Sequence, residues 1–190
     1  QDLDIDPEDH PENIIRKFSK FSGISIENVC VCILDRPRHQ ELISKVRATG
    51  SRIMLIPDGD VSAVIATSME DSGINLYMGI GGSPEGVLAA AALSCIGGKM
   101  YTKLIFDNEE SFQRAIEMGI NDKNKIYSMK DLVKGDVMFS ATGVTNGTLL
   151  KGVNFKNNTA TTNSVVMRSK TKTIRYVDVI HDLNIKNIKF

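Results

Sequence analysis

Residues 26–34, IENVCVCIL, end in a β-branched apolar run with no polar face, and a chain that carries such a run must cover it on both sides. Helical patterns stand on either side of it. Ile14, Ile15, Phe18 and Phe21 recur at helical spacing and Gly23 supplies a stop. Pro37 opens a second helix, where its missing N–H costs nothing; Leu42, Ile43 and Val46 form its inner stripe, Glu41 and Lys45 an outer pair, and Gly50 its end. The alternation continues with a buried strand at 52–57, a short helix at 61–69, a strand at 76–80, a helix from Pro84 closed by Gly97-Gly98, a strand at 100–106, a helix at 109–118 and a strand at 136–141. Strand–helix–strand order predicts right-handed crossovers and an α/β fold with a largely parallel sheet. Residues 84–96 are apolar on nearly every face, so protein must enclose that helix on several sides. The last forty residues are Thr- and Val-rich, with turns at Asn157-Asn158 and Lys170-Thr171, and predict a C-terminal antiparallel meander on the sheet edge.

With 190 residues, 42% of them hydrophobic, the chain has material for one core, expected over residues 13–190. Residues 1–12 hold six acids and two prolines, open on Gln rather than Met, and read as an acidic linker into the domain, as in a fragment of something longer. Lys+Arg and Asp+Glu are both 23, without the basic excess of a general nucleic-acid or anionic-membrane binder. No apolar run approaches a membrane span and no secretory signal opens the chain, so the expected location is the cytoplasm. Cys30, Cys32 and Cys95 are an odd set without metal-like pairing, expected as reduced core thiols.

In a parallel sheet, functional groups gather beyond the carboxyl ends of the strands. Those ends carry Asp35-Arg36-Pro37-Arg38-His39, Asp58-Gly59-Asp60, the glycine turn from Gly79 to Gly86, and residues 141–147, ATGVTNG. Arginines, acids and glycines on one rim suit a charged small molecule. The glycine turn can bring backbone N–H groups to an anion at a helix start, but serves equally as a plain connection. Glu85 in the first helical turn is favourable for the helix dipole; it also suits a divalent cation bridging to a phosphate. Asp58 and Asp60 fit metal or sugar-hydroxyl contacts, or simply a cap and a turn. Arg36 and Arg38 flank a stiff proline at a helix start, where the dipole disfavours them, and suit bidentate phosphate binding; two solvated arginines are the alternative. His39 reads as a packed or capping residue, and His10 and His181 have no partner spacing.

Five segments in order, DRPRH (35–39), IPDGDV (56–61), GIGGSPEGVLAAAAL (79–93), FSATGVTNGTLLKGV (139–153) and ATTNSVVMRSKTKTIR (160–175), together resemble the class II fructose-1,6-bisphosphatases of the metal-dependent, lithium-sensitive sugar phosphatase superfamily. The resemblance runs from Asn13 onward and implies the C-terminal half of that superfamily fold. It implies Glu85 as a ligand of a catalytic Mn²⁺ or Mg²⁺. Arg36, Pro37 and Arg38 would line the phosphate site, although Lys replaces Arg36 in some relatives. Asp58, Gly59, Asp60 and Gly82 would contact the sugar bisphosphate. The implied reaction is metal-assisted hydrolysis of the 1-phosphate of fructose 1,6-bisphosphate in gluconeogenesis, in a homo-oligomer when full length. Family members are longer: most metal-binding carboxylates and the residue that positions the attacking water lie in an N-terminal half with no counterpart here. The expectation is therefore a half-site that is inactive alone, with no catalytic residue assignable within it. Sedoheptulose-1,7-bisphosphatase activity and a non-catalytic sugar-phosphate-binding module are the competing readings.

Overall fold

A computed structural model of the chain describes residue 3 and residues 5–186. The apolar run supplies the centre of a parallel sheet: strand β1 (Cys30–Leu34) has all five residues buried. Strands β2 (Arg52–Ile56) and β3 (Leu76–Tyr77) flank it, both parallel to it, in the order β2-β1-β3. Alternate residues of β1 serve two cores. Val31 and Ile33 pack with Ile15 of helix α1 (Pro11–Ser22) and with Ile43 and Val46 of helix α2 (Gln40–Ala48). Cys32 packs with Ala63 and Ala66 of helix α3 (Asp60–Ala66), and with Ile74. Each fully buried Ile or Val contributes about 1.5–3 kcal/mol, so this strand anchors the first half of the chain. Burial also pushes the Cys32 thiol up to about 11 and raises Cys30, as expected of unreactive core cysteines.

Two local expectations change. The strand at 52–57 is not buried on both faces: β2 is an edge strand, with Arg52 and Leu55 exposed. The strand at 76–80 shortens to Leu76–Tyr77, because the chain leaves the ladder to build the glycine loop at 79–82.

Helix α4 (Ser83–Ile96) ends at Gly97, whose φ of +96° and N–H bond to Leu93 O form a left-handed cap. From Ala89 onward it is enclosed between α3 and a second sheet, with Ala92 and Cys95 in a cluster with Ile65, Phe139, Val165 and Met167. Val87 and Leu88, nearer its start, remain exposed.

Beyond α4 the parallel pattern stops. Strand β4 (Tyr101–Lys103) and strand β5 (Ile126–Ser128) form an antiparallel ribbon. Ile126 opens β5 opposite Lys103, the last residue of β4. Helix α5 (Glu109–Glu117) and its connections therefore form one excursion from a single end of the ribbon, not a crossover. Strand β6 (Met138–Thr142), expected in the parallel sheet, instead runs antiparallel to strand β8 (Thr159–Arg168). Strand β7 (Asn154–Lys156) shares that edge of β8, and strand β9 (Thr173–Asp182) pairs along the other. The physical reason is the face pattern of β8: Val165 and Met167 enter the α4 cluster while Ser164 and Val166 alternate away, as in a half-covered antiparallel sheet. Both expected turns are present, with Asn157 and Lys172 at φ +52°.

The acidic opening lies along β4. Tyr101 Oη donates to Leu3 O at 2.8 Å, and Glu8 pairs with Lys103 at 2.7 Å. No helix among the described residues is long and apolar enough to cross a membrane.

Candidate active-site rim

Three loops leave the carboxyl ends of β1, β2 and β3 and meet. In the first, Asp35 N–H continues the ladder to Ile56 O at 2.8 Å. Arg36 is then extended (φ −134°, ψ 149°), the conformation that a following proline favours. Pro37–His39 makes one tight helical turn before α2. Arg38 reaches across to the third loop, where Nε and Nη2 donate to Ile80 O at 3.0 and 2.9 Å. The guanidinium is thus held by one edge, leaving its outer N–H groups for an anion. Arg36, on the other side of Pro37, is half-buried, with Nη1 3.5 Å from Asp35 O.

In the second loop, Asp58 accepts from Gly59 N–H at 2.8 Å, and Gly59 sits at φ +85°, a conformation that favours glycine. Asp60 opens α3 and accepts from Val61 N–H at 2.9 Å. Its other oxygen, Oδ2, lies against Gly81, where a Cβ would stand 3.2 Å away.

The third loop begins at Tyr77 and ends at Gly82, which caps α4. Glu85, in the first turn of α4, folds its carboxylate back over Gly82 so closely that a Cβ there would overlap Oε2. The helix start thus presents an exposed carboxylate beside free backbone N–H groups.

Arg38, Asp60, Gly82 and Glu85 therefore share one open rim, and Pro37 stiffens it. Asp58 lies in the same loop as Asp60 but bonds its own turn. The segment 141–147, expected on this rim, belongs to the antiparallel sheet. Its glycines pack instead: Gly143 lies against Leu150 and Lys151, and Gly152 against Thr145 and Asn146. A cavity of about 310 Å³ opens there between Asn146, Lys151, Asn163 and Asp178, where Asn163 already bonds Asp178 and the Lys151 N–H.

Two further residues belong to the rim: His39, packed as the sequence suggested, and Tyr77, which carries no signal in the sequence. The Tyr77 hydroxyl is pushed up to about 12, first by burial and then by the Asp60 carboxylate and Cys32, with Arg38 opposing. It stays protonated at neutral pH and can only donate to an anion. His39 is buried beneath the loop, bonded to Leu34 O and to Ile80 N–H.

The donor set of the rim falls short of what a divalent cation needs. Among the described residues no three His, Cys, Asp or Glu side chains cluster as a metal site. Glu85 supplies a single carboxylate, and Mg²⁺ or Mn²⁺ needs more oxygen ligands than that. These residues alone do not fit a self-contained metal centre.

A family model described as bacterial fructose-1,6-bisphosphatase, glpX-encoded, matches residues 2–181. The chain belongs to that family. It is 42% identical over 180 residues to the D-fructose 1,6-bisphosphatase class 2/sedoheptulose 1,7-bisphosphatase of Trichodesmium erythraeum, covering 88% of this chain and 52% of that protein. The protein of the same description from Crocosphaera subtropica is 43% identical over 170 residues, covering 83% of this chain and 49% of its own length. That of Microcystis aeruginosa is 42% identical over 180 residues, covering 88% and 52%. The chain spans about half the length of the curated relatives it matches. The family match agrees with the resemblance read from the sequence.

Proposed function

We propose that the protein carrying this chain hydrolyses the 1-phosphate of fructose 1,6-bisphosphate, in gluconeogenesis in the cytoplasm, and takes sedoheptulose 1,7-bisphosphate as a second substrate. The supporting observation is the convergence of Arg38, Asp60 and Glu85 through the single Gly79–Gly82 loop. In this reading Arg36 and Arg38 neutralise a substrate phosphate, and Pro37 limits the entropy lost in holding them. Asp58 and Asp60 accept from sugar hydroxyls, Gly59 shapes the turn that brings both against the sugar, and Gly82 lets the substrate approach the helix start. Glu85 contributes one carboxylate to a divalent cation, Mn²⁺ or Mg²⁺, whose other ligands come from outside these 190 residues. An ion held there would supply charge neutralisation of phosphoryl oxygens and an activated water. The 190 residues alone are then a folded half-site with little or no turnover, and the active form is a homo-oligomer of the complete protein.

The test is phosphate release by the complete gene product from both sugar bisphosphates. Arg38→Ala removes a charge-assisted contact and the bond to Ile80 O, so KM for fructose 1,6-bisphosphate should rise about 10- to 100-fold. Turnover of an inositol monophosphate in preference to both sugars would overturn the substrate assignment. Binding of the sugar bisphosphate without phosphate release would favour a non-catalytic module.

A further inference from the structure

His39 is 1% exposed, although Arg38 and Gln40 on either side of it are exposed. Its two ring nitrogens face partners that permit one assignment. Leu34 O can only accept, so Nδ1, 2.8 Å away, carries the hydrogen. Ile80 N–H can only donate, so Nε2, 2.8 Å away, presents an open lone pair. The loop makes room for the ring: a Cβ on Gly79 would stand 3.2 Å from Cε1 and 3.3 Å from Nε2.

Ile80 is consequently held at both polar groups, its N–H by His39 and its carbonyl by Arg38. The loop around it contains Gly79, Gly81 and Gly82, which have little conformational preference of their own and lose much freedom on ordering. Gly82 and Glu85 follow directly, so the path of Ile80 decides where the helix start and its carboxylate sit.

We infer that His39 is a positioning residue for the phosphate-binding rim: by accepting the Ile80 N–H it fixes the glycine loop that presents Gly82 and Glu85 and docks Arg38. This rests on the function proposed above. Arg38 touches the substrate in that account; His39 acts through the loop.

Two substitutions separate the ring nitrogens. Asn places its amide nitrogen near the former Nδ1, keeping the Leu34 bond while leaving Ile80 N–H without an acceptor. Gln carries its amide oxygen close to the former Nε2 and keeps the Ile80 bond. In the complete gene product, His39→Asn should speed hydrogen exchange at the Ile80 amide at least about tenfold and raise KM for fructose 1,6-bisphosphate about tenfold, with kcat changing less. His39→Gln should stay within about threefold of wild type in both. If His39→Asn fails to fold, His39→Gln keeps the claim testable, since rapid exchange at the Ile80 amide in that variant would contradict the lock. Unchanged Ile80 exchange in His39→Asn, or an equal KM rise in the Asn and Gln variants, would show that the ring only fills space. Failure of the wild type to release phosphate would instead contradict the proposed function, and the Ile80 exchange comparison would still decide the lock.

Discussion

Gly82→Ala is expected to reduce sugar-bisphosphate turnover by about a hundredfold or more while the protein stays folded. Gly82 has φ −72° and ψ 145°, a conformation open to any residue, so the backbone accepts alanine. The loss of a glycine N-cap costs about 1 kcal/mol. What alanine does not permit is the present seat of Glu85. The new Cβ would overlap Oε2 and stand 3.1 Å from Cδ, and the carboxylate, the flexible partner, must swing away. Melting should therefore fall by only about 2–4 °C while phosphate release collapses. Wild-type release from the alanine variant would mean that the folded-back carboxylate is not the functional one.

Gly152→Ala should do the reverse and strike stability first. Its Cβ would lie 2.6 Å from Thr145 C, 2.7 Å from Asn146 N and 2.8 Å from Thr145 Cα. All three are backbone atoms that no rotamer change can move. The same crossing is tied by Gly147 N–H to Leu150 O at 3.0 Å, Val153 N–H to Val144 O at 3.1 Å and Gly152 N–H to Asn146 Oδ1 at 2.9 Å. Forcing it apart disturbs Leu150, which is buried with Phe139, Val165 and Met167. Overpacking of this kind costs about 3 kcal/mol, a melting decrease of roughly 6–12 °C for a domain of this size. Thermal unfolding followed by circular dichroism checks it, and an unchanged midpoint would contradict the backbone crossing.

These two glycines also show how far the sequence could be read. Both stand in glycine-rich motifs that resemble a bisphosphatase rim, and residue type alone does not say which one faces substrate. Gly82 borders the rim under the folded-back Glu85 carboxylate; Gly152 serves a backbone crossing beside the antiparallel sheet. β1 was legible because a run buried on both faces has no other use, and α4 because its apolar faces and closing glycines bound it. The partners of β4 and β6 were not. Short strands with polar residues carry no mark of direction, and only the return of the chain to one end of the ribbon, or the face pattern of β8, decides it. Arg38, Asp60 and Glu85 could be placed on one rim from the strand order. The packing of His39 at that rim was legible too, but its bond to Ile80 N–H was not, and Tyr77 carried no signal, since the role of each depends on hydrogen bonds and charges brought from loops some forty residues apart or from a neighbouring strand end.

The function proposed above stands on the Glu85 carboxylate at the start of α4 taking part in phosphate hydrolysis. Its most direct test is Mn²⁺-dependent phosphate release from fructose 1,6-bisphosphate by the complete gene product, wild type against Glu85→Gln. Glu85 is exposed, so the variant should melt within about 2 °C of wild type. Release should fall by about a hundredfold or more. Equal release by the two proteins would contradict the account.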